Sequence, residues 1–214
     1  MSISITEAKL YRTFYDFFEQ YNYGLLPDKK QFRKVTSGGF LNVIFSVTEY
    51  AENDAWVEVH FGCHNQQIEQ IAQQFLATNL LDFRNDTNTI IISIGNYNNV
   101  KYFRYKIQSD EDIQTTYESV KSFFETVGFE FLETLTKVAE VERILNFSPR
   151  KPCKFLYNQT HRCFKGMIAA KFTENPKFFG LALMYDVYLN SNGQYEESVQ
   201  FKKMIDYLHH YSAN

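Results

Sequence analysis

GGFLNVIFSVTEYAENDAWVEVHFGCHN, residues 38–65, sets the fold class. It holds two runs that alternate apolar and polar residues around a polar turn, the pattern of an antiparallel hairpin with one buried face. In the first run, Phe40 to Tyr50, Leu41, Val43, Phe45 and Val47 share one face; Asn42, Ile44, Ser46 and Thr48 share the other. Glu52, Asn53 and Asp54 supply the turn, since Asn and Asp side chains bond their own backbone. In the second run, Ala55 to Cys63, Val57, Val59, Phe61 and Cys63 point to the core, with Trp56, Glu58, His60 and Gly62 opposite. A one-residue slip would turn every apolar group to water, so the pattern also sets the register.

Working outward, Ser4 and Glu7 read as a capping box for a helix whose apolar stripe is Leu10, Phe14, Phe17, Phe18 and Tyr21. Gly24 and Pro27 end it, and a strand over Gln31–Thr36 and a turn at Ser37-Gly38-Gly39 lead into the hairpin. Asn65 is placed to cap a helix over Gln66–Leu80. Two further strands are expected, over Thr89–Tyr97 and Val100–Gln108, joined at Asn98-Asn99, which makes about five. From Ser109 and Asp112, a second capping box, the pattern turns helical, with a stripe to Val127, a break at Gly128, and a second stripe from Leu132 to Leu145. Asn146–Asn158, with Pro149 and Pro152, reads as the internal boundary. Helices over Thr160–Phe172, Lys177–Leu189 and Gln194–Tyr211 follow, the second lined by Phe179, Leu183, Met184 and Val187 and the third by Val199, Met204, Ile205 and Leu208. The expected fold is α+β: a mostly antiparallel sheet packed by helices over residues 1–147, then a helical segment over 148–214, the two forming either separate parts or one continuous domain.

A chain of 214 residues is long enough for a substantial core. Its net charge of -3 opposes a general nucleic-acid role. The N-terminus lacks the apolar run of a secretion signal, and the longest apolar stretch, Phe178–Leu189, is too short for a bilayer and contains Asp186. Three cysteines without framework spacing fit a reducing compartment, so a cytoplasmic protein is expected. The 21 Phe and 15 Tyr are read chiefly as core, with an aromatic interaction surface as the sharper alternative.

Candidate chemistry is sparse. Trp56, Glu58 and His60 alternate on one strand face: a carboxylate beside an imidazole suits a general base, and Ser46 or Thr48 on the neighbouring strand would be a nucleophile. A Trp among charges equally suits a binding face. Cys153, His161 and Cys163, with Cys63 or His64, lack the paired spacing that zinc prefers, so no metal is expected, and the thiols read as small hydrophobes. Arg150, Lys151, Lys154, His161, Arg162 and Lys165 form a basic cluster, read as a solvated connection or an anion site. Lys29, Lys30, Arg33 and Lys34 read as guards of a sheet edge. His209 and His210 read as a helix end. No glycine pattern builds a phosphate loop, and no cofactor is expected.

The pieces YNYGLL (21–26), QFRK (31–34), FLNVIFSVTEY (40–50), WVEVHFGCHN (56–65) and FFETVGFEFLETL (123–135) resemble an uncharacterised bacterial α+β domain family. The resemblance covers most of residues 6–147; the chain departs from the family plan at Tyr23-Gly24-Leu25, where Gly-Phe is the pattern, and in a longer middle section. The family has no established catalytic residues, and some domains of this plan look like immunity proteins encoded beside bacterial toxins. Separately, GLALMYDVYLNSNGQYEESVQF (180–201) is similar to one tetratricopeptide unit, read here as a helical hairpin packing on the rest, since a single repeat needs neighbours. The expected function is binding of another protein without catalysis; the alternative is a small-ligand sensor or hydrolase using Trp56, Glu58 and His60.

Overall fold

The computed structural model describes residues 4–51, 54–76 and 86–211. It is α+β, with a six-stranded sheet in the order β1-β2-β3-β4-β5 and β6 also paired to β4. The strands are β1 (Gly24–Leu26), β2 (Gln31–Thr36), β3 (Gly39–Ala51), β4 (Asp54–Asn65), β5 (Ile90–Ser93) and β6 (Tyr105–Ile107). Helices are α1 (Ile5–Gln20), α2 (Gln66–Phe75), α3 (Ile94–Tyr97), α4 (Asp110–Phe123), α5 (Phe129–Thr134), α6 (Val138–Asn146), α7 (Gln159–Phe172), α8 (Phe178–Ser191) and α9 (Tyr195–His210). Contacts divide the chain into two compact units, residues 1–63 with 91–134, and 64–90 with 135–214. The grouping changes at 134 and 135, where the sequence suggested 147 and 148, and the segment carrying α2 joins the C-terminal helices.

In the first unit, Val43, Phe45, Val57, Val59 and Phe61 are at most 2% exposed. The hairpin face is therefore as its alternation dictates. Helix α1 starts on the Ser4–Glu7 capping box and lays Phe14 and Phe18 on this face: the Phe14 and Phe45 rings are 4.7 Å apart, and Phe18 and Phe32 4.6 Å. Each such ring pair contributes about 0.5–1.5 kcal/mol beyond area burial. Phe124 continues the cluster, 5.3 Å from Phe18 and 5.7 Å from Phe61.

Several expectations need correction. The strand over Thr89–Tyr97 stops at Ser93, whose hydroxyl caps α3 by accepting from the Asn96 amide. Gly95 in that short helix is pressed by Phe103 and the Val100 carbonyl: a Cβ there would lie 2.6 and 2.8 Å from them. Of Val100–Gln108 only Tyr105–Ile107 is strand, because Asn99 and Tyr102 each adopt φ of 61° and break the extended run. Gly128 does not end its helix. The chain passes through a single π turn, Phe124–Gly128, into α5, and a Cβ at Gly128 would strike the Phe124 ring at 2.7 Å. The stripe expected through Leu145 is instead interrupted at 135–137, between α5 and α6. Helix α2 ends at Phe75, short of the expected Leu80, because Leu76 turns extended (φ -81°, ψ 129°); residues 77–80, and the turn at Glu52 and Asn53, lie outside the described residues. Basic β2 is not an edge, since it pairs with both β1 and β3. Its cations have partners: Lys34 meets Glu133 at 2.6 Å and Arg33 stacks 3.6 Å above the Phe40 ring.

In the second unit α7 is the central element. Residues 162–170 are all buried, so two cations, Arg162 and Lys165, are buried with them. Helix α8 turns the face opposite to the one expected. Leu181, Tyr185 and Leu189 are buried, while Phe179, Leu183 and Val187 are 69, 67 and 56% exposed. The α8–α9 hairpin closes at Gly193, whose φ of +72° suits glycine. Helix α9 buries Phe201, Met204 and Leu208 and leaves Val199 exposed. Among the described residues no helix is long and apolar enough to cross a membrane.

Candidate functional site

Strand β4 turns Trp56, Glu58 and His60 away from the Val57–Phe61 core, so the structure does bring the three together, all half-buried. The pairing of β6 adds what alternation on one strand does not reveal. Trp56 sits opposite Lys106, whose ammonium is 5.8 Å from the indole ring. Arg104 Nε lies 3.7 Å from Glu58 Oε2, and His60 Nε2 lies 3.8 Å from the same oxygen. Asp54 Oδ1 and Lys106 Nζ are 3.8 Å apart. The result is a ladder of alternating charge around one tryptophan. The only local signal for Arg104 and Lys106 is their own alternation in Arg104-Tyr105-Lys106.

Burial pushes the His60 imidazole below its ordinary value; Glu58 pulls it up and Arg104 pushes it further down. The ring is therefore neutral at pH 7. Its 3.8 Å separation from Glu58 is beyond hydrogen-bond length, and partly open ion pairs of this kind contribute about 0–1 kcal/mol each. Ser46 and Thr48 stand exposed on β3.

The cysteine–histidine group does not assemble as a ligand set. Cys163 Sγ donates to its own helix at the Gln159 carbonyl, 3.3 Å away, and Cys153 Sγ to the Ile144 carbonyl at 3.7 Å. Burial raises both thiols, Cys163 to about 12. The basic cluster also divides. Arg162 is not in a solvated loop: its Nε donates to the Leu145 carbonyl at 2.8 Å, Nη1 to Lys151 at 2.6 Å and Nη2 to Ser148 at 3.0 Å. It thereby staples the Pro-containing connection to α7.

Lys165 forms the densest polar cluster, one that sequence reasoning missed. Its Nζ lies 2.8 Å from Glu69 Oε1, and both side chains are 2% exposed. The ammonium also donates to the Asn88 carbonyl at 2.8 Å. The Thr89 hydroxyl donates to Glu69 Oε1 at 2.7 Å, and Thr87 and Gln73 donate to Oε2 at 2.8 and 3.2 Å. Burial by itself would raise the Glu69 carboxyl, but Lys165 and the two hydroxyls outweigh it and hold the group below the ordinary glutamate range. His161 nearby is pushed down by burial and by Lys165. Every Glu69 oxygen already has two donors, so the cluster binds the protein to itself rather than offering a lone pair to a substrate. The one signal for it is a carboxylate at position 69 inside the stripe Ile68, Ile71, Ala72.

A cavity of about 560 Å³ lies where α7 ends and α8 begins, lined by Phe172, Glu174, Phe178, Phe179, His209 and Tyr211 among others. Comparison of the chain with protein-family models, with curated proteins and with solved structures finds no match in any of the three.

Proposed function

We propose that this chain acts by binding another protein and not by catalysis, with the Trp56 ladder as the contact face. The observation that carries the reading is the tryptophan standing in the Asp54, Glu58 and His60 row of β4, with Lys106 opposite and Arg104 alongside, on a half-buried sheet face. Tryptophan and arginine are the residues that dominate binding energies at protein interfaces, and a polar rim around them excludes water. Protein binding is also what the resemblance to immunity-like domains implies. Capture from an extract of the chain's own host tests it. Wild type retains a partner that Trp56→Ala retains about tenfold less or worse; retention of the same proteins by both variants refutes the reading.

A second reading, a hydrolase-type enzyme or ligand sensor, rests on the neutral His60 beside Glu58. A neutral imidazole can accept a proton, and apo geometries are often longer than catalytic ones. A hydrolytic activity lost in His60→Gln and retained in Trp56→Phe would replace the binding proposal.

A further inference from the structure

We infer that the outer face of the α8–α9 hairpin pairs with the same face of a second copy of this chain, the two α8 helices crossing antiparallel on a twofold axis near Leu183. This is independent of the role given to the Trp56 face, and either can fail without the other.

The first argument is area. Phe179, Leu183 and Val187 on α8, with Val199 on α9, are between 53 and 69% exposed. Counting about 150–200 Å² for a fully open side chain of this size, they present roughly 400 Å² of apolar surface. That is about half of the ~800 Å² per side of a standard interface. Helix α8 is apolar on both sides, a pattern that belongs to a helix covered on both.

The second argument is that the face is complementary to itself. The stripe is symmetric about Leu183: Phe179 and Val187 stand four residues on either side, and none of the three carries charge. An antiparallel twofold sets Leu183 on its symmetry mate and Phe179 against the partner copy's valine, large against small. Gly180 lies beside the stripe with nothing within 4 Å of where a Cβ would be, leaving room for the opposing bulk.

The charges on α9 obey the same operation. The ring contact of Phe179 with His209, the ion pair of Asp186 with Lys202 and the hydrogen bond of Asn190 with Ser198 set the register of the hairpin. That register places Ile205 level with Leu183. Lys202 and Lys203 precede this level and Asp206 follows it. The rotation that pairs the stripes therefore brings the lysines of one copy over the aspartate of the other, as an isologous interface requires. Opposed helix dipoles favour the same antiparallel arrangement.

Sedimentation of the full chain across about 1–100 µM, a range that spans ordinary dimer affinities, reads the outcome. The expected species has twice the 25.3 kDa chain mass. Leu183→Glu places two carboxylates on the axis and is expected to give monomer with unchanged circular dichroism, since residue 183 is 67% exposed. In a Cys153→Ser background, Leu183→Cys is expected to form an intermolecular disulfide on mild oxidation, because a residue on the axis meets itself. A monomeric wild type across the range overturns the inference. So does a dimer that persists in Leu183→Glu, or one in which Leu183→Cys does not cross-link; either would place self-association on another face.

Discussion

Replacing Lys165 by Met isolates the energetics of the buried pair. Methionine fills similar volume, so the change is chiefly electrostatic. It leaves Glu69 with its Thr87, Thr89 and Gln73 donors but without a countercharge at 2% exposure. It also leaves the Asn88 carbonyl without the ammonium. Removing one partner of a buried pair costs about 3–5 kcal/mol at pH 7. Adding Glu69→Gln removes the stranded charge while keeping an acceptor for the Thr89 hydroxyl. The double variant should therefore regain about 2 kcal/mol or more of that loss, which a double-mutant cycle reports as coupling. The pH dependence has a definite sign. In wild type the folded-state carboxyl lies below its unfolded value, so its contribution is present above about pH 4.5 and is lost as pH falls through the folded value. In Lys165→Met only the Thr87 and Thr89 hydroxyls still oppose burial and the carboxyl rises, so the penalty fades on acidification and the gap to wild type narrows between pH 7 and 5. Urea unfolding followed by far-ultraviolet circular dichroism, at several pH values, measures all of this. A loss under about 1 kcal/mol for Lys165→Met, or a gap that does not narrow on acidification, would refute the account.

Phe45→Ala should cost about 3–5 kcal/mol, since the ring is 2% exposed and meets Phe14, Phe32 and Tyr11; a loss below about 1 kcal/mol would contradict the hairpin register. Arg162→Met should remove the charged hydrogen bonds to the Leu145, Ser148 and Lys151 carbonyls and cost about 2–4 kcal/mol, with faster amide exchange confined to residues 146–158; uniform acceleration throughout the chain would argue against a local staple. Gly95→Ala should destabilise the first unit, because the new methyl meets backbone at Val100; an unchanged melting temperature would show that α3 shifts freely. His60 and His161 are both held below the ordinary histidine value of 6.5, so stability should fall as pH drops beneath it. The double variant His60→Gln with His161→Gln should flatten that fall, and an unaltered slope would reject the assignment.

What could be read from sequence was whatever leaves a local trace. The alternation of β3 and β4 is legible because one face of the hairpin is dry, and Ser4, Asn65 and Ser109 announce their helices because each caps its own chain three residues on. The run Ile90–Ser93 is the strand its β-branched residues announce; only the continuation over Ile94–Tyr97 misleads, and the switch rests on one Ser93 hydroxyl. Helix α8 defeats stripe reading for a different reason. Phe179, Leu183 and Val187 recur at the same spacing as Leu181, Tyr185 and Leu189, so periodicity cannot choose between the faces. Of the candidate site, Trp56, Glu58 and His60 follow from β4 alone, whereas Arg104 and Lys106 enter only through the pairing of β6. Glu69 and Lys165 meet across a long separation in sequence, and no nearby residue foretells it.

That separation bears on how the protein is made. The segment 64–90 emerges from the ribosome between two parts of the first unit but belongs with residues 135–214. Glu69 must wait for about a hundred more residues before Lys165 exists, some 5–20 s at ordinary elongation rates. During that interval Ile68, Ile71 and Ala72 have no second-unit helix to cover them. The nascent chain therefore carries a sticky, uncovered helix through nearly half of its synthesis, an interval in which a holdase chaperone would find its target.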